Sequence, residues 1–312
     1  MHQLKSILNF FYEIKLSKKD NFYKTSEKTY QLMRYLYKFS DGLFLYFISK
    51  YFNKKSKPPS YFKNSFKFLE KIKNDERHFL IDEISNMRIS NSIIRDEKIK
   101  FSNQESKEID YLYYRNKNLM RVDIQSEDLL KNKRIAKIAT NERWIKIVED
   151  ILGCQPKLLG VDAWYTLPAP EKFRSYDDVG KLVSSQMWHR DCDNLRDIKI
   201  MIYLTNVEDE NEGPFELVEN TNSFNFFNPF KYEMGSIGLR ISDDYIQKKY
   251  SGVIKSIYGN EGDCYLIDTR AIHRGKTITK KNHYRLMLQL LFSNNSFGKI
   301  RNNPKLNSKW ES

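Results

Sequence analysis

The half of the chain that begins at Lys157 is divided into short β-type segments, and this pattern limits the fold more than any other feature of the sequence. Turns rich in Gly, Asn and Asp separate the segments, as in Asn211–Pro214 and Gly259–Asp263. Short, numerous strands without helices at βαβ spacing predict an antiparallel sandwich or jelly roll. The predicted strands are Lys157–Thr166, Val183–Trp188, Ile198–Leu204, Pro214–Val218, Ile254–Ile257, Cys264–Asp268 and Tyr284–Phe292.

The region before these strands has apolar residues at helical spacing. Helices are predicted within 1–51, in Phe62–Lys73, His78–Met87 and Asp123–Lys133, and in Ala136–Leu152, which Gly153 caps. The expected fold class is therefore α+β, with a double-stranded β-helix (jelly-roll) core and a helical N-terminal region packed on or beside it. The predicted division is a basic helical N-terminal region at 1–55, a mostly helical support region at 56–153, a jelly-roll core at 154–295 and a C-terminal tail at 296–312. An insertion at 224–250, rich in aromatic and charged residues, is expected to form a partly helical lid.

The formal net charge of +13 is concentrated near the N-terminus. Residues 1–75 contain sixteen Lys and Arg against six Asp and Glu, a net charge of +10, which leaves +3 for the rest. This basic region could contact an anionic partner such as nucleic acid, an acidic membrane surface or a phosphorylated substrate. A solvated, Lys-rich face explains the same composition.

Cysteine usage and hydropathy indicate the compartment. The three cysteines, Cys154, Cys192 and Cys264, are widely spaced and form no C-x-x-C pair, as is typical of a reducing environment. Met1–Lys19 lacks the uninterrupted apolar segment of a signal peptide, and the apolar run Leu43–Ile48 is shorter than the roughly 20 residues that span a bilayer. A cytoplasmic protein is expected.

One tripeptide and one distant histidine suggest a metal site. His189 and Asp191 are two positions apart, so in an extended strand both side chains lie on one face. An imidazole and a carboxylate suit a borderline divalent cation, and His273, which follows another predicted strand, is the leading candidate for a third ligand. Two histidines and one carboxylate leave open positions on an ion, as in non-haem iron(II) oxygenases. A surface or capping pair is the alternative.

Arg285 suggests an anion site near the same end of the fold. Alternation in its strand sets Arg285, Met287 and Gln289 on one face and three leucines on the other. A guanidinium inside a barrel is costly unless an anion meets it, and a dicarboxylate would be a bidentate partner. A structural Arg–Asp pair is the alternative.

These motifs occur in an order and spacing that resemble the phytanoyl-CoA dioxygenase-like family of iron(II)/2-oxoglutarate-dependent oxygenases. The resemblance covers about residues 157–293 and is carried by Gln186–Asp191, Asp197–Val207, Glu212–Val218, Glu261–Gly275 and His283–Arg285. It implies that His189, Asp191 and His273 bind Fe(II) and that Arg285 holds the distal carboxylate of 2-oxoglutarate. It also implies O2-dependent hydroxylation of a small-molecule, lipid or carrier-linked substrate. Because halogenating relatives lack a carboxylate at this ligand position, Asp191 favours hydroxylation.

The chain also departs from that family. Relatives commonly have a Pro-Gly-Ser-His turn where this chain has Glu219–Ser223, and many have a hydroxyl where this chain has Met287. The second anchor for 2-oxoglutarate is therefore open, with Thr277 and Tyr203 as candidates. Candidate substrate contacts, each of which could equally be a packing residue, are Gln186, Trp188, Lys199 and the 224–250 insertion.

Parts of this pattern also occur in proteins of other function classes. His-Arg-Asp also occurs in protein kinases, but these need Asn five residues after the Asp, where this chain has Arg196, and no Gly-rich loop is present. Two alternatives stay open: an oxygenase that acts on nucleic acid, and a non-catalytic jelly-roll binding protein.

Overall fold

The structure is a computed structural model. It describes residues 65–88, 121–153, 155–168, 184–191, 197–222, 233–234 and 239–293. The basic N-terminal region, most of the 224–250 insertion before its helix, and the C-terminal tail lie outside these residues. The boundaries of the predicted regions stay predictions.

Twelve strands and five α-helices form the described part of the chain. The strands are β1 (Phe66–Lys71), β2 (Arg121–Asp123), β3 (Lys157–Thr166), β4 (Trp188–His189), β5 (Asp197–Tyr203), β6 (Phe215–Val218), β7 (Glu233–Met234), β8 (Leu239–Ile241), β9 (Ile254–Ile257), β10 (Asp263–Asp268), β11 (His273–Gly275) and β12 (Arg285–Ser293). The helices are α1 (Asn74–Ser85), α2 (Ser126–Lys131), α3 (Lys133–Ala139), α4 (Glu142–Leu152) and α5 (Asp243–Tyr250).

The strands form two six-stranded sheets. Sheet 1 has the order β1-β10-β5-β12-β3-β2 and sheet 2 the order β7-β8-β4-β11-β6-β9. All the ladders within them are antiparallel. From β3 to β6 each successive strand lies in the other sheet, and the same alternation holds from β9 to β12. The predicted combination of helices with antiparallel sheets is confirmed.

The alternation in β12 separates two cores, as the sequence predicted. Leu286, Leu288 and Leu290 point away from sheet 2 and pack, together with Val161 and Ile200, against helices α1 to α4. Met287 points the other way, into a cluster lined by both sheets that includes Trp164, Tyr203, Phe215 and Leu217. The side chains that could form a functional site therefore lie on the faces of the two sheets that point toward each other.

Three of the predicted elements were wrong in detail. Phe66–Lys71 is not helical but forms β1, because its backbone pairs with the otherwise free edge of β10 and Phe68 packs edge-on against Tyr265. The predicted helix Ala136–Leu152 is divided into α3 and α4, since Asn141 caps α4 by accepting a hydrogen bond from the Trp144 amide. Gly153 ends α4 in the left-handed conformation, as predicted.

The third error concerns the strand that leads to the candidate metal ligands. Val183–Trp188 was predicted to be a strand, but Ser184–Gln186 forms a 3₁₀ turn and only Trp188 and His189 pair as β4. A single helical turn followed by so short a strand does not show a periodic pattern of apolar residues, so the sequence could not predict this structure.

The described helices include none that is both long and apolar enough to cross a bilayer.

The packing of sheet 1 on the helices predicts the effect of a core substitution. Leu288→Ala removes a fully buried side chain at the centre of β12 and should lower the free energy of unfolding by about 2–5 kcal/mol. Val253→Ala, at a position that is 36% exposed, should change it by less than about 0.5 kcal/mol. Urea unfolding followed by circular dichroism measures both. Equal effects of the two substitutions would contradict this packing.

Candidate metal centre

His189, Asp191 and His273 converge between the two sheets. β4 and β11 are neighbours in sheet 2, and His189 is paired directly with His273, with 4.3 Å between the ring centroids. Asp191 Oδ1 lies 3.8 Å from His189 Nε2, and Asp191 Oδ2 lies 3.8 Å from His273 Nε2. The three candidate ligand atoms are all within 4.8 Å of one another. Such a group can hold one divalent ion.

Hydrogen bonds to the backbone orient both imidazoles. His189 Nδ1 lies 2.7 Å from the Met187 carbonyl oxygen, and His273 Nδ1 lies 2.8 Å from the Ala271 carbonyl oxygen. A carbonyl only accepts, so each Nδ1 carries the proton and each Nε2 presents a lone pair toward Asp191. This tautomer is the one that a metal ligand needs when Nε2 binds the ion.

The surrounding residues fix the three side chains from several directions. Phe215 stacks on the His273 ring at 5.4 Å between centroids. The Asp191 amide donates to the Thr269 carbonyl at 3.1 Å, which ties Asp191 to the turn after β10. Lys199 on β5 reaches Asp191 Oδ2 with its Nζ at 2.6 Å. Lys199 therefore faces between the sheets, whereas its role as a substrate contact stays a prediction.

A buried ionic network supports β4 and β11 from the opposite side. Arg274 forms ion pairs with Glu216 at 2.6 Å and with Asp243 at 2.7 Å, and its guanidinium lies over the Trp188 ring. The Trp188 indole donates to the same Asp243 oxygen at 2.5 Å. Burial raises the pKa of Asp243, and Arg274 opposes this rise. The network joins helix α5 to the strands that carry the two histidines.

Trp188 and Gln186, the other two predicted substrate contacts, differ in their surroundings. Trp188 is 1% exposed and packs with Val218, Ile241 and Ile272. Gln186 is 3% exposed, and both polar atoms of its side chain have no hydrogen-bond partner among the described residues. A buried amide without partners is costly, so Gln186 retains polar capacity for a ligand. Contact of either residue with substrate stays a prediction.

Arg285 begins β12 and is 5% exposed. Its Nη2 donates to Thr166 Oγ1 at 3.3 Å, whereas Nε and Nη1 have no partner in the described part of the chain. Burial lowers the pKa of this guanidinium, and the neighbouring Arg121 lowers it further, but an arginine stays charged at any ordinary pH. The alternative of a structural Arg–Asp pair finds no support, because no carboxylate of the described residues is paired with Arg285. A buried cation with two nitrogens that lack a partner among the described residues matches an anion.

Gly275 connects the arginine to the metal centre. It lies on β11 two positions after His273, so it faces the same side of the strand, about 7 Å further along. A methyl group built on Gly275 would be 3.1 Å from Arg285 Nη2. The guanidinium and the His-Asp-His group therefore share one side of β11.

Tyr203 and Thr277 were candidates for a second anion anchor. The Tyr203 hydroxyl donates to the Ile257 carbonyl at 2.7 Å and accepts from the Phe215 amide at 3.1 Å. This hydroxyl is committed to joining the two sheets, and burial raises its pKa. Thr277 is buried, and its role as an anchor stays a prediction.

The similarity of this chain to known proteins is at the level of solved structures with low sequence identity. No family model and no curated protein matches it. Among solved structures, it is similar to HygX from Streptomyces hygroscopicus with nickel, 2-oxoglutarate and hygromycin B bound, with 13% identity, 74% of this chain and 83% of that chain covered, and a TM-score of 0.45. AviO1 from Streptomyces viridochromogenes Tue57 has 13% identity, coverage of 77% and 94%, and a TM-score of 0.46. EctD from S. alaskensis with 2-oxoglutarate and 5-hydroxyectoine has 14% identity, coverage of 78% and 79%, and a TM-score of 0.47. At such low sequence identities and TM-scores, the function must be inferred from the site itself.

Sequence reasoning missed Thr166 and Gly275, and it did not relate Lys199 to Asp191. The period-2 alternation of the predicted strand Lys157–Thr166 could have indicated Thr166, because it puts Asp162, Trp164 and Thr166 on one face. No local signal could have indicated Gly275, since its importance depends on which side chain approaches it from another strand.

The geometry predicts which substitutions remove metal binding. His273→Ala and Asp191→Ala each delete one of three ligands and should weaken Mn(II) or Ni(II) binding at least about 100-fold, since loss of a supporting group alone costs about 10–100-fold. Isothermal titration calorimetry measures the affinity. His78→Ala, at an exposed position on α1, serves as the control and should bind like wild type. Undiminished binding by the His273 variant would remove this residue from the site.

Proposed function

We propose that the protein is an iron(II)/2-oxoglutarate-dependent oxygenase of the phytanoyl-CoA dioxygenase-like family with a double-stranded β-helix core. The alternation of β3 to β6 and of β9 to β12 between two antiparallel sheets supports this core, because a jelly roll winds its strands between two sheets in this way. The observation that carries the proposal is the combination of a largely buried His-Asp-His group with a buried arginine, partly unpaired among the described residues, on the same side of β11.

The donor set fits iron(II). His189 Nε2, His273 Nε2 and one carboxylate oxygen form the two-histidine, one-carboxylate set that binds non-haem iron(II) and leaves positions open for other ligands. A set with thiolates would favour zinc or a cluster, and the cysteine in the described part of the chain, Cys264, is not in this group. Burial also raises the pKa of the Cys264 thiol and so disfavours the thiolate.

Arg285 fits the distal carboxylate of 2-oxoglutarate. Its Nε and Nη1 are buried and aimed at no carboxylate of the described chain, while Thr166 holds Nη2. A five-carbon dicarboxylate could reach from the guanidinium toward the metal centre, because both lie on one side of β11. The pair would be bidentate, and such pairs are stronger and more directional than a single charged hydrogen bond.

Iron(II) and 2-oxoglutarate, when bound, would supply the oxidising power to insert one oxygen atom of O2 into a C–H bond, with succinate and CO2 as co-products. The chain's own residues would then orient the reactants and exclude water. The backbone carbonyls at Met187 and Ala271 keep both imidazoles in the ligand tautomer. Arg285 would neutralise and orient the dicarboxylate. The carboxylate of Asp191 favours hydroxylation over halogenation.

The substrate is an organic molecule whose class the site does not yet define. Gln186, with its buried and unpaired amide, is the best supported of the predicted substrate contacts. The basic N-terminal region as a site for an anionic partner and a cytoplasmic location remain proposals from the sequence.

Binding of the dicarboxylate can be tested without a known substrate. Under anaerobic conditions, Fe(II) and 2-oxoglutarate together should give a weak visible charge-transfer band. Arg285→Gln should raise the Kd for 2-oxoglutarate at least about 100-fold, because two or more charge-assisted hydrogen bonds are lost. With oxygen and a panel of metabolites, lipids and carrier-linked substrates, wild type should release succinate and Asp191→Ala should not. A protein that binds iron but gives neither band nor succinate would be a binding module instead.

Gly275 provides a second and more selective test. Gly275→Ala would crowd Arg285 Nη2, so the Kd for 2-oxoglutarate should rise about fivefold or more, since overpacking costs about 1–3 kcal/mol. The affinity for Mn(II) should stay at the wild-type value. Gly252→Ala is the matched control, because a methyl group there has no atom within 4 Å. Equal 2-oxoglutarate affinities in the two variants would separate Arg285 from the dicarboxylate site.

A further inference from the structure

His283 lies two positions before Arg285 and on the same side of the chain. Tyr284, which stands between them, packs on the helix side of sheet 1, with its ring centroid 5.7 Å from that of Tyr165. Because side chains alternate along an extended chain, His283 points toward sheet 2, as Arg285 does. Its Nδ1 lies 3.9 Å from Oε1 of Glu212, a residue that comes shortly before β6 of that sheet. The imidazole therefore lies on the side that carries the proposed anion site.

The second ring nitrogen of His283 is buried and has no hydrogen-bond partner among the described residues. This nitrogen is Nε2, and the side chain as a whole is 17% exposed. The separation of 3.9 Å between Nδ1 and Glu212 is also too long for a hydrogen bond. Arg285 has two nitrogens in the same condition, Nε and Nη1. Two adjacent basic side chains thus keep buried nitrogens for which the described chain offers no partner, and such groups are costly unless a ligand meets them.

The charges around His283 keep its imidazole neutral at neutral pH. Burial lowers the pKa of His283, Glu212 and Asp209 oppose this effect, and Lys280 and Arg285 add to it. Burial would raise the pKa of Glu212, but hydrogen bonds from a backbone amide and from Lys280 outweigh it, so this carboxylate is ionised. Since an ordinary imidazole titrates near about pH 6.5, the lowered pKa of His283 leaves it without a proton.

An anion at Arg285 would change this balance. A carboxylate beside the guanidinium cancels the charge that disfavours a proton on His283, and a nearby negative charge favours the protonated imidazole directly. A ligand that raises the pKa of a group draws a proton onto that group when it binds. By linkage, the same ligand binds more tightly as the pH falls.

We propose that His283 is a second cationic group of the dicarboxylate site and that it takes up a proton from solvent when the anion binds at Arg285. This inference rests on the proposed function and goes beyond it, because it assigns a further residue to the cosubstrate site and makes occupancy of that site depend on pH. The bound dianion then faces two positive charges, which selects for a ligand that is fully ionised at this end.

Calorimetry of the Mn(II)-loaded full chain tests the proton uptake. 2-Oxoglutarate is titrated in two buffers that differ in ionisation enthalpy, and the difference in the heats gives the protons taken up. Wild type should take up a proton fraction near about pH 6 and bind at least about threefold more tightly there than at about pH 8. The sign follows because the extra affinity is complete below the pKa of free His283 and is lost as the pH rises through the pKa of the complex.

His283→Gln cannot titrate but keeps an amide nitrogen near the position of Nε2. This variant should show no proton uptake at this step and the same Kd at both pH values. His78→Gln makes the same exchange at an exposed position on α1 and should match wild type. Far-UV circular dichroism confirms that each variant is folded, and His283→Asn replaces His283→Gln if the latter is unfolded.

Lys280→Met changes the neighbourhood of His283 without touching the imidazole. Lys280 pairs with Glu212 and lowers the pKa of His283, so its loss should raise that pKa and move the maximum of proton uptake to higher pH. A histidine with a merely structural role would not respond in this way.

The ring nitrogens of His283 supply an independent readout. In the Zn(II)-loaded protein, the ¹⁵N resonances that disappear in His283→Gln should titrate at a higher pH with 2-oxoglutarate than without it. An unchanged titration, or equal proton uptake by wild type and His283→Gln, would overturn the inference while 2-oxoglutarate binding and the proposed function stand. If wild type binds no 2-oxoglutarate at either pH, the proposed function fails and the inference fails with it.

Discussion

The site depends on one cross-strand pair, His189 with His273. β4 and β11 are among the shortest of the described strands, yet their pairing brings together candidate ligands that are far apart in sequence. Strands this short cannot hold their register alone. The outer network of Arg274, Glu216 and Asp243 and the stacking of Phe215 on His273 supply what the ladder lacks. The centre is therefore held from both faces of sheet 2.

Charge balance between the sheets explains the rest of the arrangement. The charges of Lys199 and Asp191 neutralise one another, whereas among the described residues Arg285 meets a threonine hydroxyl and no carboxylate. A buried cation without a counter-ion is costly to the fold. If an anion binds at Arg285, as proposed, it would offset this cost, so Arg285 gives direct information about the charge of the ligand.

Much of the β core could be predicted because its signal is local. β3, β5, β6, β9, β10 and β12 follow the predicted strands within about a residue, since side-chain alternation and Gly or Asn turns are written in the sequence itself. The same alternation correctly assigned the side chains of β12 to the two faces of its sheet. The predictions failed for β1 and for the Val183–Trp188 segment, where contacts with the rest of the fold determine the secondary structure. The apolar residues of Phe66–Lys71 have helical spacing, but the segment forms a strand because it pairs with the free edge of the sheet.

The sequence by itself identified the candidate metal ligands and the candidate anion-binding arginine. These follow from the residues His189, Asp191, His273 and Arg285 and from their places in or next to predicted strands. The tertiary structure decided everything that depends on neighbours from other strands. That Lys199 meets Asp191, that Thr166 holds Arg285 and that Gly275 leaves room for it are contacts between elements distant in the chain. Alternation gives the face on which a side chain lies. Strand order and register, which the whole chain fixes by cooperative packing, give its partner.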